Sequence, residues 1–131
     1  MILLEPLRQA LDSLDEAARE PLQGRLAKNI RDSVIQRFEY TYELAWKTLK
    51  RALMVSFGYD EDTVRDIYRR GFEVGLLQDV ERWLAFHTAR NMTSHTYNEK
   101  IADQTYAVAQ EFLKEARLLL QRLEALDARP A

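Results

Sequence analysis

The stretch LAKNIRDSVIQRFEYTYELAWKTLKRALMVSF, residues 26–57, decides the fold. Ile30, Val34, Ile35, Phe38, Tyr42, Ala45, Trp46, Leu49 and Leu53 recur at steps of three and four, the signature of one apolar helical stripe. Gln36, Glu39, Glu43, Lys47 and Lys50 fall on the opposite, solvated face, with Glu43 and Lys47 at the favourable i,i+4 spacing. Gly58 supplies a C-terminal stop.

The same period runs outward in both directions. Upstream, Leu4, Leu7, Leu11, Leu14 and Ala18 define a first helix, with Pro6 in its opening turn and Pro21 marking the break after it. Downstream, Asp60 or Asp62 is placed to cap a shorter helix carrying Val64, Ile67, Tyr68 and Phe72, with Gly75 as its stop and Gly71 loosening its last turn. Asp79 caps a fourth helix with Val80, Trp83, Leu84 and His87 on one side. After an irregular Thr93–Asn98 stretch, Ile101, Thr105, Val108, Phe112, Ala116, Leu119, Leu123 and Leu126 form a seam close to a heptad repeat. The prediction is all-α: an up-and-down helical bundle of four main helices and one short one. Residues 1–131 form a single helical bundle domain, and the tail Asp127–Ala131 is expected to fray.

Composition agrees with this reading. Of 131 residues, 47% are hydrophobic and 31% charged, and only 4 Gly and 3 Pro are available for turns, a globular balance with little provision for sheets or linkers. The absence of cysteine excludes disulfides, thiolate metal sites and cysteine nucleophiles. The start, Met-Ile-Leu-Leu-Glu-Pro-Leu-Arg, lacks the pattern of a signal peptide, and no apolar run approaches the roughly 18 residues of a membrane span, so a cytoplasmic location is expected. A net charge of −2 is unlike that of a protein that grips long nucleic acid through a broad basic surface, so any such contact must be local or created by assembly.

One segment breaks the amphipathic regularity: Arg90-Asn91-Met92-Thr93-Ser94-His95-Thr96-Tyr97-Asn98. On an unbroken helix Arg90 and His95 would stand about 140° apart. They converge only where the helix bends or ends, which Thr93, Ser94 and Thr96 favour by competing for backbone hydrogen bonds. A guanidinium matches phosphate oxygens, and an imidazole moves protons near neutrality. Together they suit cleavage of RNA by its own 2′-hydroxyl, a reaction that needs neither a metal nor a cofactor. One histidine does not readily serve as both base and acid, so a two-fold dimer with facing motifs is the simplest arrangement. His87, one turn before Arg90, offers a second imidazole in the same chain. Each residue also has an ordinary reading: Arg90 paired with a carboxylate, His95 at the surface, Tyr97 half-buried, and His87 a satisfied histidine at the core's edge beside Trp83 and Leu84.

Arg90-Asn91 and His95, with four residues between Arg and His, resemble the signature of HEPN domains. The extension to Tyr97 resembles the HepT-type toxins paired with minimal nucleotidyltransferases, and Val34–Lys47 resembles the long helix of the subgroup named nucleotidyltransferase substrate-binding proteins. The resemblance spans roughly Ile30 to Lys100. It implies a homodimer with the motifs at the interface and, in the toxin members, metal-independent endoribonuclease activity. By position, Arg90 would stabilise the phosphate, His95 would be the acid/base residue and Asn91 would orient the site. Tyr97 would be adenylylated by a cognate minimal nucleotidyltransferase, neutralising the toxin. Two alternatives stay open: a non-catalytic nucleotide- or substrate-binding subunit of a two-component nucleotidyltransferase, and a purely structural helical adaptor.

Overall fold

A computed structural model describes residues 2–129, and among them every regular element is helical. The elements are α1 (Glu5–Ala18), α2 (Ala27–Phe57), α3 (Val64–Glu73), α4 (Val80–Asn91) and α5 (Glu99–Asp127), with a 3₁₀ turn at Thr93–His95 between the last two. The fold class is the all-α bundle that the periodicity predicts.

Local chemistry sets most of the boundaries. Pro6 lies in the first turn of α1, where its missing N–H is harmless. Gly58 ends α2 with a φ of 74°, a conformation that a side chain would strain. The cap of α3 is Thr63, not Asp60 or Asp62: its Oγ1 accepts the Asp66 N–H at 3.1 Å. The reason is register, since Thr63 stands immediately before the first helical residue in extended backbone, while the aspartates lie further upstream. Asp79 caps α4 as predicted, accepting the Arg82 N–H at 3.1 Å. At the far end α5 continues through Asp127, whose Oδ1 accepts the Ile2 N–H at 3.0 Å, and the N–H groups of Ala128 and Arg129 still reach Glu124 and Leu126 carbonyls. Pro130 and Ala131, the end of the predicted tail, lie outside the described residues.

Gly71 and Phe72 both depart from expectation. The helix does not loosen at Gly71; it runs on to Glu73. Gly75, with φ 82°, then turns the chain so that the Leu76 N–H reaches the Gly71 carbonyl at 2.8 Å and the Gly75 N–H reaches that of Phe72 at 3.1 Å. Leu76 and Leu77 are buried, Leu77 directly over Gly71, whereas Phe72 is 53% exposed. Trp46 packs against the edge of the core. It is half-buried, and its Nε1 donates to Glu43 Oε2 at 3.2 Å.

α2 and α5 touch along the middle of the bundle; α1 packs on one side of that pair and α4 on the other, without meeting each other. α3 lies on α2 and α4 only. Phe112 of α5 is fully buried and receives Phe38 and Tyr42 from α2 and Trp83 and Phe86 from α4, at centroid distances of 5.2, 6.0, 5.8 and 5.4 Å. All four are edge-on, the arrangement that the ring quadrupoles favour. Phe112→Ala removes the shared partner of two helices and should cost about 3–5 kcal/mol in urea unfolding. A loss below about 1 kcal/mol would show that the rings repack without it.

Candidate active site

The Arg90–Asn98 segment is placed where α4 stops and α5 starts. The Met92 N–H is still shared between the Thr88 and Ala89 carbonyls at 3.1 Å, but the chain then tightens. Thr93 Oγ1 donates to the Arg90 carbonyl at 2.8 Å, and Thr96 Oγ1 donates to that of Thr93 at 2.9 Å. These hydroxyls take over acceptors that a continuing helix would have used. Asn98 begins α5, its Oδ1 accepting the Lys100 and Ile101 N–H groups at 3.0 and 3.2 Å. The helix therefore ends between Arg90 and His95, as their convergence requires.

Arg90 turns onto α2. Its Nε lies 2.7 Å from Glu43 Oε1, and an Nη lies 3.8 Å from Glu39 Oε1. The buried Nε–H does not point along the first contact, which is thus an ion pair rather than a directed hydrogen bond. Glu43 is held in turn, its other oxygen meeting Trp46 Nε1 and, at 3.7 Å, Lys47 Nζ. Gln36, Glu39, Tyr40, Glu43 and Arg90 line an open cavity of about 380 Å³. His95, on the 3₁₀ turn, is exposed, and its ring meets that of Tyr97 edge-on at 6.1 Å. Tyr97 is 82% exposed, which removes the half-buried packing reading of that residue. Asn91 is exposed at the last position of α4. The structure thus brings His95 and Tyr97 together and Arg90 against two carboxylates. Among the described residues, no hydrogen bond or ion pair joins Arg90 to His95.

His87 is half-buried, and its Nδ1 lies 2.9 Å from the Tyr42 hydroxyl, which also meets the Tyr68 hydroxyl. Burial pushes both phenols above their ordinary range, so they stay protonated.

Two features escape the sequence reading. Glu39 and Glu43 fit the solvated face, although their i,i+4 spacing already makes them a carboxylate pair on one side of α2. Arg31 is only 6% exposed, and it shares the register of Val34, Ile35 and Phe38. Its Nη1 bonds Glu99 at 2.6 Å and Asp103 at 3.1 Å, while its Nε bonds Asp32 at 3.1 Å. The Glu99 bond is the foremost cause that raises the guanidinium's pKa. This clasp fixes the start of α5 to α2 just after the Arg90–Asn98 segment in the chain. Among the described residues no trio of His, Asp or Glu is grouped to hold a metal ion, and none of the helices is long and apolar enough to cross a membrane.

Residues 3–125 match the family model described as nucleotidyltransferase substrate binding protein like. The chain belongs to this family. A similar protein, the probable ribonuclease HepT of Haemophilus influenzae, is 39% identical over 93 residues, covering 68% of this chain and 64% of that protein, so the match spans just under two thirds of the relative's length. Among solved structures, a protein of Thermus thermophilus is 33% identical with a TM-score of 0.81, covering 89% of this chain and 98% of its own. A Haemophilus influenzae protein described as revealing the fold of a substrate binding domain of a nucleotidyltransferase is 31% identical with a TM-score of 0.82, covering 93% and 99%. The bundle is thus shared with both of these structures over nearly its whole length.

The Arg31 clasp has a pH signature. Its hydrogen bond holds the Glu99 carboxyl below the usual glutamate range. The unfolded chain therefore binds the proton first, and the stabilisation is present above roughly pH 4.3 and lost as pH falls through the lower folded value. Urea unfolding from pH 6 to 2.5 should show the stability gap between wild type and Glu99→Gln closing as the solution is acidified. A gap that stays constant would mean that Glu99 carries no linked proton.

Proposed function

We propose that this chain is a HepT-type toxin of a toxin–antitoxin pair: a metal-independent endoribonuclease that works as a homodimer with Arg90 and His95 at the interface. A cognate minimal nucleotidyltransferase neutralises it by adenylylating Tyr97. The observation that carries the reading is the helix end between Arg90 and His95, which leaves His95 and Tyr97 exposed side by side. The family match and the ribonuclease name of the 39% identical relative support it.

In this mechanism an imidazole takes the proton of the RNA 2′-hydroxyl, and the 2′-oxygen forms a bond to phosphorus. The bond from phosphorus to the 5′-oxygen breaks as that oxygen receives a proton, leaving a 2′,3′-cyclic phosphate and a 5′-hydroxyl. The Arg90 guanidinium stabilises the charge on the pentacoordinate phosphate. To reach it the phosphate displaces Glu43 and Glu39, exchanging one anion for another. Asn91, at the helix end, orients the segment. Adenylylation joins the Tyr97 oxygen to the α-phosphorus of ATP and releases pyrophosphate. The attached AMP sets a nucleotide and a negative charge beside His95, in the place that RNA must occupy.

A second reading has its own support. Arg90 is paired with carboxylates, the net charge is −2, and the family is described by substrate binding. On that reading the chain is a non-catalytic subunit that presents nucleotide to its nucleotidyltransferase.

Partner-free, unmodified protein in EDTA should cut RNA to 2′,3′-cyclic phosphate ends, and His95→Ala should slow this by about 100-fold or more. Intact RNA combined with tight mononucleotide binding by calorimetry would favour the subunit reading instead. Incubation with ATP and a cognate minimal nucleotidyltransferase should add one AMP to the wild-type mass and none to Tyr97→Phe. Equal labelling of both chains would move the modification elsewhere.

A further inference from the structure

His87 and Arg90 are neighbours on one face of α4, and both side chains turn onto the same stretch of α2, His87 onto Tyr42 and Arg90 onto Glu43 and Glu39. The two ring nitrogens of His87 differ. Nδ1 is held by the Tyr42 hydroxyl at 2.9 Å. Nε2 has no partner among the described residues and is not one of the buried unpaired atoms, so it reaches solvent on the α2–α4 seam. An edge-of-core histidine serving only to satisfy a hydroxyl would have no need of a second phenol behind the first, yet Tyr68 completes a chain from α3 through α2 to α4.

That chain can serve both protonation states of the imidazole. With His87 neutral and its hydrogen on Nε2, the Tyr68 hydroxyl donates to Tyr42 and the Tyr42 hydroxyl donates to Nδ1. With the imidazolium, the direction reverses: Nδ1–H donates to the Tyr42 oxygen, whose own hydrogen turns to Tyr68. Nδ1 and the Tyr42 oxygen keep a partner in either state. Nε2 keeps its solvent-facing position throughout. The titratable groups near the Tyr42 hydroxyl are Glu43 from α2, Tyr68 from α3 and Arg90 from α4, and the α5 side chain against it is the apolar Phe112.

We propose that His87 is a second proton-transfer residue of the site, the general acid that complements His95 within one chain, with Tyr42 as its positioning residue. The inference rests on the ribonuclease reading. In the cleavage step His95 takes the 2′-hydroxyl proton while the His87 imidazolium gives its Nε2 proton to the departing 5′-oxygen. His87 is left neutral with its hydrogen on Nδ1, donated to Tyr42, and a proton from solvent restores it.

The test combines kinetics with ring-nitrogen NMR on the full chain. His87→Gln should cut mixed-sequence oligoribonucleotide about 100-fold more slowly than wild type, with unchanged helix content and dimer mass. Tyr42→Phe removes the partner of Nδ1, so the Nδ1 resonance of His87 in this variant should leave its hydrogen-bonded value. Its kcat should fall while KM keeps the wild-type value, a split that a purely structural role for the hydroxyl would not produce. With adenosine 3′-monophosphate added to wild type, the Nε2 resonance of His87 should move and that of Nδ1 should keep its hydrogen-bonded value. Cleavage by His87→Gln at the wild-type rate, or a His87 Nε2 resonance indifferent to the nucleotide while wild type still cuts, overturns the inference and leaves the ribonuclease reading standing. Failure of wild type itself to cut overturns both. If His87→Gln does not fold, Tyr42→Phe with the wild-type kcat is enough to reject the proposal.

Discussion

The edges of Phe38, Tyr42, Trp83 and Phe86 bear on a single buried ring, Phe112, and through it α2 and α4 are locked to α5. That contact fixes the distance between α2 and α4, and the candidate site is built across this gap. Arg90 can reach Glu43, and His87 can reach Tyr42, only because the aromatic layer beneath them is dense and edge-packed rather than slippery. Tyr42 belongs to both layers: its ring packs on Phe112 and its hydroxyl points into the polar seam.

The electrostatics of the seam explain how an acidic protein holds a candidate phosphate site. The positive charge of Arg90 is balanced locally by Glu39 and Glu43, so it adds nothing to a basic surface, and the charge becomes available only to an anion able to replace those carboxylates. Arg31 does the opposite. Its charge is buried and committed to Glu99, Asp103 and Asp32, which serves to anchor α5. Two arginines that look alike in composition thus have different roles, set by whether their partners can be exchanged.

Much of the fold was legible because it depends on period and on caps. The α2 stripe, the α5 seam, the Gly58 and Gly75 stops and the Asp79 cap all stand where the residue types place them. The exposure of Phe72 was not legible, since its spacing from Tyr68 fits the apolar face of α3 while the buried neighbours Leu76 and Leu77 come from beyond the Gly75 turn. Nor was Thr63 distinguishable from two nearby aspartates without the register of α3. For the site, the helix break between Arg90 and His95 could be read from the hydroxyl-rich segment. The partners of Arg90 could not, because Glu39 and Glu43 satisfy the solvated-face pattern equally well. Arg31 shows the same limit: a charged residue on an apolar stripe signals burial but not which carboxylates will meet it.

Gly71 has a wider reach than its size suggests. A β-carbon there would stand 3.1 Å from Leu77 Cδ1 and 3.3 Å from Leu49 Cδ2, so the missing methyl sets how deeply α3 seats against α2. Tyr68 lies one turn earlier on that helix, and its hydroxyl meets Tyr42 only at this depth. The spacing of two backbones thus tunes, like a shim under a bearing, the polar wire that ends at His87. A sequence change that lifts α3 by a few tenths of an ångström would draw Tyr68 away from Tyr42 without altering either Tyr42 or His87.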